Sequence, residues 1–254
     1  MSTTPTTRGP ANAARPGPGR PRHGVARVLS KLGQASRTQA AAWVRAGRVQ
    51  VNGRVVLDPD FPVREGIDRI DIAGERALAV PRLVLMLNKP RGLVTTTRDE
   101  RGRRTVYDCL AGAALPWLAP VGRLDKASEG LLLFSNDPAW AARLTDPRTG
   151  PDKTYHVQID RQPDPQWLAE VARGSVIGGE RLAAKSVRAL RSGARNAWLE
   201  IVLDEGRNRH LRRLLEGFDA AVLRLVRVRI GTLSLGSLPK GQWRMLDSAE
   251  IESL

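Results

Sequence analysis

Apolar positions divide the chain into a short helical part and a longer strand-rich part. Val25, Val28, Leu29 and Leu32 recur at i, i+3, i+4 and i+7, and Gly33 follows where a left-handed C-cap belongs. This predicts a short amphipathic helix. In "SRTQAAAWVRAG", Ser36 precedes Gln39 by three residues as in a capping box, Ala40, Trp43 and Val44 share a face, and Gly47 ends the pattern. A second helix is predicted, with Trp43 in the core rather than as a stacking platform. "RVQVNGRVVL" then supplies two strand-like runs joined by Asn52-Gly53, a pair that tolerates positive φ in a hairpin.

Residues 58 to 82 mix turn residues with a short alternating strand around Asp68 to Ile72, and read as the end of this head plus a connector. "LVLMLNKPRGLVTTT" follows, with β-type runs at 83 to 88 and 93 to 97 flanking the turn Lys89-Pro90-Arg91-Gly92. Two cations at such a turn are candidates for phosphate contact. "KTYHVQI" alternates strictly, placing Tyr155, Val157 and Ile159 on one strand face. "WLEIVL" is another strand, and "RNRHLRRLLEG" a short helix with Leu211, Leu214 and Leu215 buried, Asn208 as cap and Gly217 as stop. Arg212 is expected off that stripe, toward the preceding loop. "LRLVRVRIGTL" reads as a half-buried strand with Arg227 and Arg229 on a basic outer face. Strands outnumber helices without a βαβ rhythm, so the fold class is α+β on a mostly antiparallel mixed sheet.

Charge changes this picture. The 254 residues hold 41 Lys and Arg against 26 Asp and Glu, a net +15. Ten of those cations, and no acid, fall before Asp58. A segment so one-sided repels itself unless a polyanion binds it, and nucleic acid is the expected partner. The helical stripes leave Arg27, Lys31, Arg37, Arg45, Arg48 and Arg54 facing outward, a surface suited to the phosphates of folded RNA. Residues 1 to 22 are rich in Pro, Gly and Thr and predict a disordered basic tail. Its density of Pro and Gly argues against the amphipathic helix of an organelle transit peptide. No run approaches the roughly 18 apolar residues of a membrane span, so no membrane is expected and the chain is read as soluble. The lone Cys109 and scattered His23, His156 and His210 show no metal-ligand spacing, which favours a reducing cytoplasm and chemistry without metal.

The chemistry on offer is sparse. No phosphate-binding glycine fingerprint appears, which moves an RNA methyltransferase out of the front rank. "PVGRLDKASEGLLLFSND" sets Asp125 between Arg123 and Lys126, just before an apolar run. A carboxylate kept ionised by a guanidinium is a competent nucleophile or base, although a simple turn cap accounts for the same residue.

That stretch is very similar to the Gly-Arg-Leu-Asp signature of pseudouridine synthases of the RsuA type, which modify ribosomal RNA. "LNKPRG", "DKTYHV" and "EGRNRHLRRL" resemble that family's other motifs in the same order, and the head resembles an S-four-type RNA-binding domain. After the tail at 1–22, the resemblance implies a helix-helix-hairpin head with connector at 23–80 and a catalytic domain of the pseudouridine synthase fold at 83–254. It implies Asp125, Tyr155 and Arg212 as catalytic residues, with Arg212 paired to Asp125 and Tyr155 stacked on the base. Arg123 would position the flipped nucleotide, with Lys89, Arg91, Arg27, Arg37, Arg45 and Arg48 on RNA. No cofactor or metal is implied, and the partner would be ribosomal RNA or a pre-ribosomal particle, by habit the large subunit, met by a cytoplasmic monomer. The alternative is a non-catalytic RNA-binding assembly factor, favoured if Asp125 and Arg212 stand apart and Tyr155 is buried away from both. One departure is His210, where related synthases carry Gln or a similar residue, which touches only local hydrogen bonding.

Overall fold

The structure, a computed structural model, describes residues 21–97 and 99–254. Nearly all of the predicted tail therefore lies outside the described residues, but Arg22 already belongs to a strand. In chain order the first part comprises β1 (Arg22–Gly24), α1 (Val25–Lys31), α2 (Arg37–Arg45), β2 (Val49–Val51), β3 (Arg54–Val55), β4 (Pro62–Arg64), β5 (Ile70–Ile72) and β6 (Glu75–Arg76). β1 pairs with β4, and the remaining strands form a sheet in the order β3-β2-β5-β6. Val25, Val28, Leu29, Ala40, Val44, Val49, Val51 and Ile70 form its core.

Local chemistry accounts for these elements. The Ser36 hydroxyl accepts from Gln39 N at 3.0 Å and starts α2. Asn52 and Gly53 turn the hairpin with φ of 51° and 79°. The Asn52 side chain does more: it accepts from Arg69 N at 2.9 Å and donates to Asp68 at 3.1 Å, which docks β5 beside β2. Trp43 is half-buried against the core, with the Arg48 guanidinium 5.8 Å from its ring centroid.

The larger part begins with β7 (Val84–Lys89), a 3-10 turn at Val106–Leu110, β8 (Ala119–Val121), β9 (Glu129–Ser135), α3 (Pro138–Thr145) and β10 (Lys153–Ile159). It continues through α4 (Pro165–Arg173), β11 (Ser175–Ile177), β12 (Glu180–Leu182), β13 (Ser186–Ser192) and β14 (Ala197–Leu203). α5 (His210–Glu216), β15 (Val222–Ile230), β16 (Leu233–Ser234), β17 (Trp243–Met245) and α6 (Ser248–Glu252) complete it. Among the described residues, nine strands form one sheet on the path β13-β14-β10-β15-β9-β7-β17, with β16 on β15 and β8 on β9. Its pairs are antiparallel except β9 with β15, so the sheet is mixed as expected.

β7 and β9 read as unbroken apolar runs because both of their faces are covered. Leu85, Leu87, Leu132 and Phe134 enter the core beneath α4 and α5, whereas Val84, Met86, Leu131 and Leu133 pack with Trp140 and Leu144 of α3. Asn136 joins the connector to this body, accepting from Leu83 N at 2.9 Å and donating to Pro81 O at 2.9 Å.

Several expectations are corrected. Residues 93 to 97 are not a strand: only Val94 bridges, to Thr105, and the Thr95 hydroxyl is spent on Leu124 O at 2.7 Å. Asn208 does not cap α5, whose N-cap is Arg209 in a left-handed conformation with φ 49°. Three helices were not anticipated, although Asp137-Pro138 and Asp164-Pro165 are the N-cap and first-turn proline of α3 and α4, and Asp247 with Glu250 forms the capping box of α6. Among the described residues, no helix is long and apolar enough to cross a membrane.

Candidate active site

Asp125 sits in the loop between β8 and β9, and that loop is braced by backbone contacts. Gly92 N donates to Lys126 O at 2.7 Å, and Thr95 exchanges bonds with both main-chain groups of Leu124, at 2.7 and 3.3 Å. Lys89 is the central strut. Its ammonium donates to Ser128 O at 2.8 Å, Pro90 O at 3.1 Å and Asp125 O at 3.2 Å. This corrects the expectation of a phosphate contact, because Lys89 is the last residue of β7 and is 0% exposed. Burial pulls its pKa down to about 8, with the Asp125 charge opposing. Arg91, two residues on, is exposed as expected.

Behind the loop, Glu129 opens β9 as a buried carboxylate held by Arg224 at 2.8 and 3.0 Å and by Lys240. Burial pushes its pKa up, but these cations more than offset that and leave it below the ordinary value. The loop is thus fixed at both ends while the Asp125 carboxylate itself accepts no hydrogen bond among the described residues.

Asp125 lies on the wall of a cleft of about 670 Å³ that Arg123, Tyr155 and Arg212 also line. A second depression of about 560 Å³ meets the first at Arg123, Leu124, Asp125 and Asn208. Tyr155 is buried on the core face of β10, and its hydroxyl has no hydrogen-bond partner among the described residues.

Arg212 departs from expectation twice. It is buried rather than off the stripe of α5, and among the described residues no ion pair at contact distance joins it to Asp125. Its guanidinium is taken by backbone instead, donating to Val222 O at 3.2 Å and Ala127 O at 3.3 Å. Burial, then the charge of Arg209, lowers its pKa, while the Asp125 charge opposes this. With Tyr155 on that same cleft, the arrangement favouring a merely RNA-binding protein is only half met.

His210 is buried at the start of α5, its Nε2 2.9 Å from Ala183 O. Burial lowers its pKa, which favours the neutral ring with Nε2 protonated. The head arginines Arg27, Arg37, Arg45 and Arg48 are all exposed, and none lines the cleft. Cleft cations not singled out from the sequence include Lys153, the exposed Arg209 and the buried Arg227. Lys153 stands in the quoted "DKTYHV", two residues before Tyr155 on the same strand face, a signal that went unused. Among the described residues, no group of three or more His, Cys, Asp or Glu is placed to hold a metal.

The family model described as RNA pseudouridylate synthase matches residues 83–217, and the S4 domain model matches residues 25–67. The chain is 37% identical over 239 residues to ribosomal large subunit pseudouridine synthase B of Escherichia coli, covering 90% of this chain and 80% of the relative. It is 32% identical to an uncharacterized RNA pseudouridine synthase of Aquifex aeolicus, covering 91% and 92% of the two chains. A crystal structure of a pseudouridylate synthase superimposes with a TM-score of 0.64 at 27% identity, over 91% of this chain and 99% of the other. The chain belongs to the RNA pseudouridylate synthase family and carries an S4 domain at its N-terminus.

Proposed function

We propose that this protein converts a specific uridine of large-subunit ribosomal RNA to pseudouridine, with Asp125 as the reacting carboxylate. The observation that carries the reading is an aspartate whose own main-chain carbonyl is held by Lys89 and Ser128 and whose side chain is free, on a cleft shared with Tyr155 and Arg212. Naming the substrate as large-subunit RNA rests on the similarity to the Escherichia coli enzyme.

The reaction follows from these positions. A uridine in a duplex is inaccessible, so it must flip into the cleft at a cost of a few kcal/mol, which cationic contacts to phosphate offset. Asp125, as nucleophile or base at the sugar, promotes breakage of the C1′–N1 bond, and the electron pair leaves with the ring. The ring turns and C5 bonds to C1′ as the carboxylate leaves C1′ or returns the sugar proton it took; the C5 proton is then lost and N1 gains one, so the product is an isomer of uridine. Tyr155 stacks on the ring, and its free hydroxyl can relay the C5 proton, accepting it as its own passes on to solvent. Arg212 supports the Asp125 loop through Ala127 O and supplies positive charge near the carboxylate. Arg123, exposed on the cleft, guides the flipped nucleotide, and Arg91 meets phosphate outside it. Residues 23–80 form the RNA-binding head and connector, with Arg27, Arg37, Arg45 and Arg48 on the phosphate lattice, and residues 83–254 the catalytic unit. The protein works as a cytoplasmic monomer on ribosomal RNA or a pre-ribosomal particle, and needs no cofactor.

The test is a map of pseudouridines in ribosomal RNA from cells with and without this chain. One large-subunit position is expected to lose its pseudouridine and to regain it on complementation. Identical maps would refute the assignment.

A further inference from the structure

Arg227 stands where the alternation of β15 breaks. Along β10 the register slips between Thr154, which faces Arg229, and Tyr155, which faces Arg227, so Val228 is an extra residue. This bulge shifts the phase of the strand: Arg229 is exposed, while Arg227 is only 6% exposed on the side of Tyr155. An outer basic face, which the sequence predicts for both residues, is therefore right for Arg229 alone.

Two contacts fix the Arg227 side chain. Its backbone lies against Gly130, where a Cβ would stand 2.2 Å from Arg227 O, and its Nε donates to Leu131 O at 2.8 Å. Arg227 lines the cleft, and its Nη2 is buried without a hydrogen-bond partner among the described residues. Lys153 lines the same cleft, and burial followed by the Arg227 charge holds its ammonium below the ordinary range. Asp152, next in the chain, is taken by Lys185 at 2.7 Å. No carboxylate pairs with Arg227 among the described residues. A buried charged donor without an acceptor is costly to keep, which calls for an acceptor that arrives with the substrate.

We propose that Arg227, assisted by Lys153, grips a carbonyl oxygen of the target pyrimidine and holds the ring while it is detached from the sugar. This rests on the pseudouridine synthase reading above. When the C1′–N1 bond breaks, its electron pair stays on the ring and spreads to the two carbonyl oxygens. A fixed cation stabilises that charge until a ring electron pair forms the C5–C1′ bond, after which the C5 proton leaves and N1 gains one. A ring carbonyl is favoured over a phosphodiester because Arg227 sits beside Tyr155 among the apolar Leu133, Leu225 and Ile230, whereas exposed Arg123 and Arg209 are placed for phosphate.

The test uses the full chain and large-subunit rRNA transcripts tritiated at uracil C5, made with uridine, 2-thiouridine or 4-thiouridine. Arg227→Met is expected to slow single-turnover tritium release at saturating RNA by about 100-fold, as loss of one preorganised donor does, with RNA affinity unchanged. The penalty shrinks on one of the two thio RNAs, because sulfur is the poorer acceptor. Arg227→Lys, measured alongside with the melting temperature of each variant, keeps the charge and loses less. An undiminished rate, lost affinity at an intact rate, or an equal penalty on all three RNAs overturns the assignment of Arg227. A wild-type chain that releases no tritium overturns the activity on which it rests.

Discussion

The bonds that fix Asp125 fall on the main chain around it, which leaves its carboxylate free for substrate. Lys89 is the residue that makes this possible, and its titration has a consequence for rate. With a pKa drawn down to about 8 by burial, its ammonium loses a proton and a donor above that pH, and its three-way grip on the loop slackens. Single-turnover isomerisation is expected to fall as pH rises through about 8, and a rate that stays flat to pH 9.5 would contradict this role. Stability moves the other way. The folded pKa lies below the ordinary 10.5, so between about 8 and 10.5 the unfolded chain binds more protons, and linkage raises stability with pH. A melting temperature followed over the same range therefore separates loss of bracing from unfolding. None of this was legible locally: a lysine beside Pro90 looks like a loop cation, and only the carbonyls of Asp125 and Ser128, some forty positions away, explain its burial.

At the scale of elements, β9 and β15 carry the site, and their parallel contact depends on one glycine. Gly130 has a φ of 99°, and an added Cβ would stand 2.2 Å from Arg227 O and 2.8 Å from Arg227 N. Gly130→Ala combines backbone strain with a clash against backbone that cannot swing aside, an expected loss of about 3 kcal/mol or more. A urea midpoint equal to wild type would contradict this account of the β9–β15 contact. The elements themselves were readable where periodicity is strict, as in β10 with Tyr155, Val157 and Ile159, or in α1 and α2. They were misread where tertiary contacts override pattern. Residues 93 to 97 have strand composition, yet Thr95 is drawn onto the Asp125 loop, and the bulge in β15 reverses the face of a strand that alternates in sequence.

Over the whole molecule, the two cores divide the work: a small basic head with exposed arginines, and a mixed sheet that presents the cleft. The charge imbalance and the four ordered motifs pointed to this arrangement in the sequence, and Asp125, Tyr155 and Arg212 line one cleft. What the sequence could not show is how they meet, since Arg212 bonds to backbone carbonyls rather than to Asp125. The central claim is that the free Asp125 carboxylate performs the reaction while other residues bind and hold the RNA. Tritium release from large-subunit rRNA labelled at uracil C5 measures it directly when the wild type is set against Asp125→Asn. The substitution is expected to abolish release while RNA affinity is retained. Turnover retained by Asp125→Asn would contradict the account.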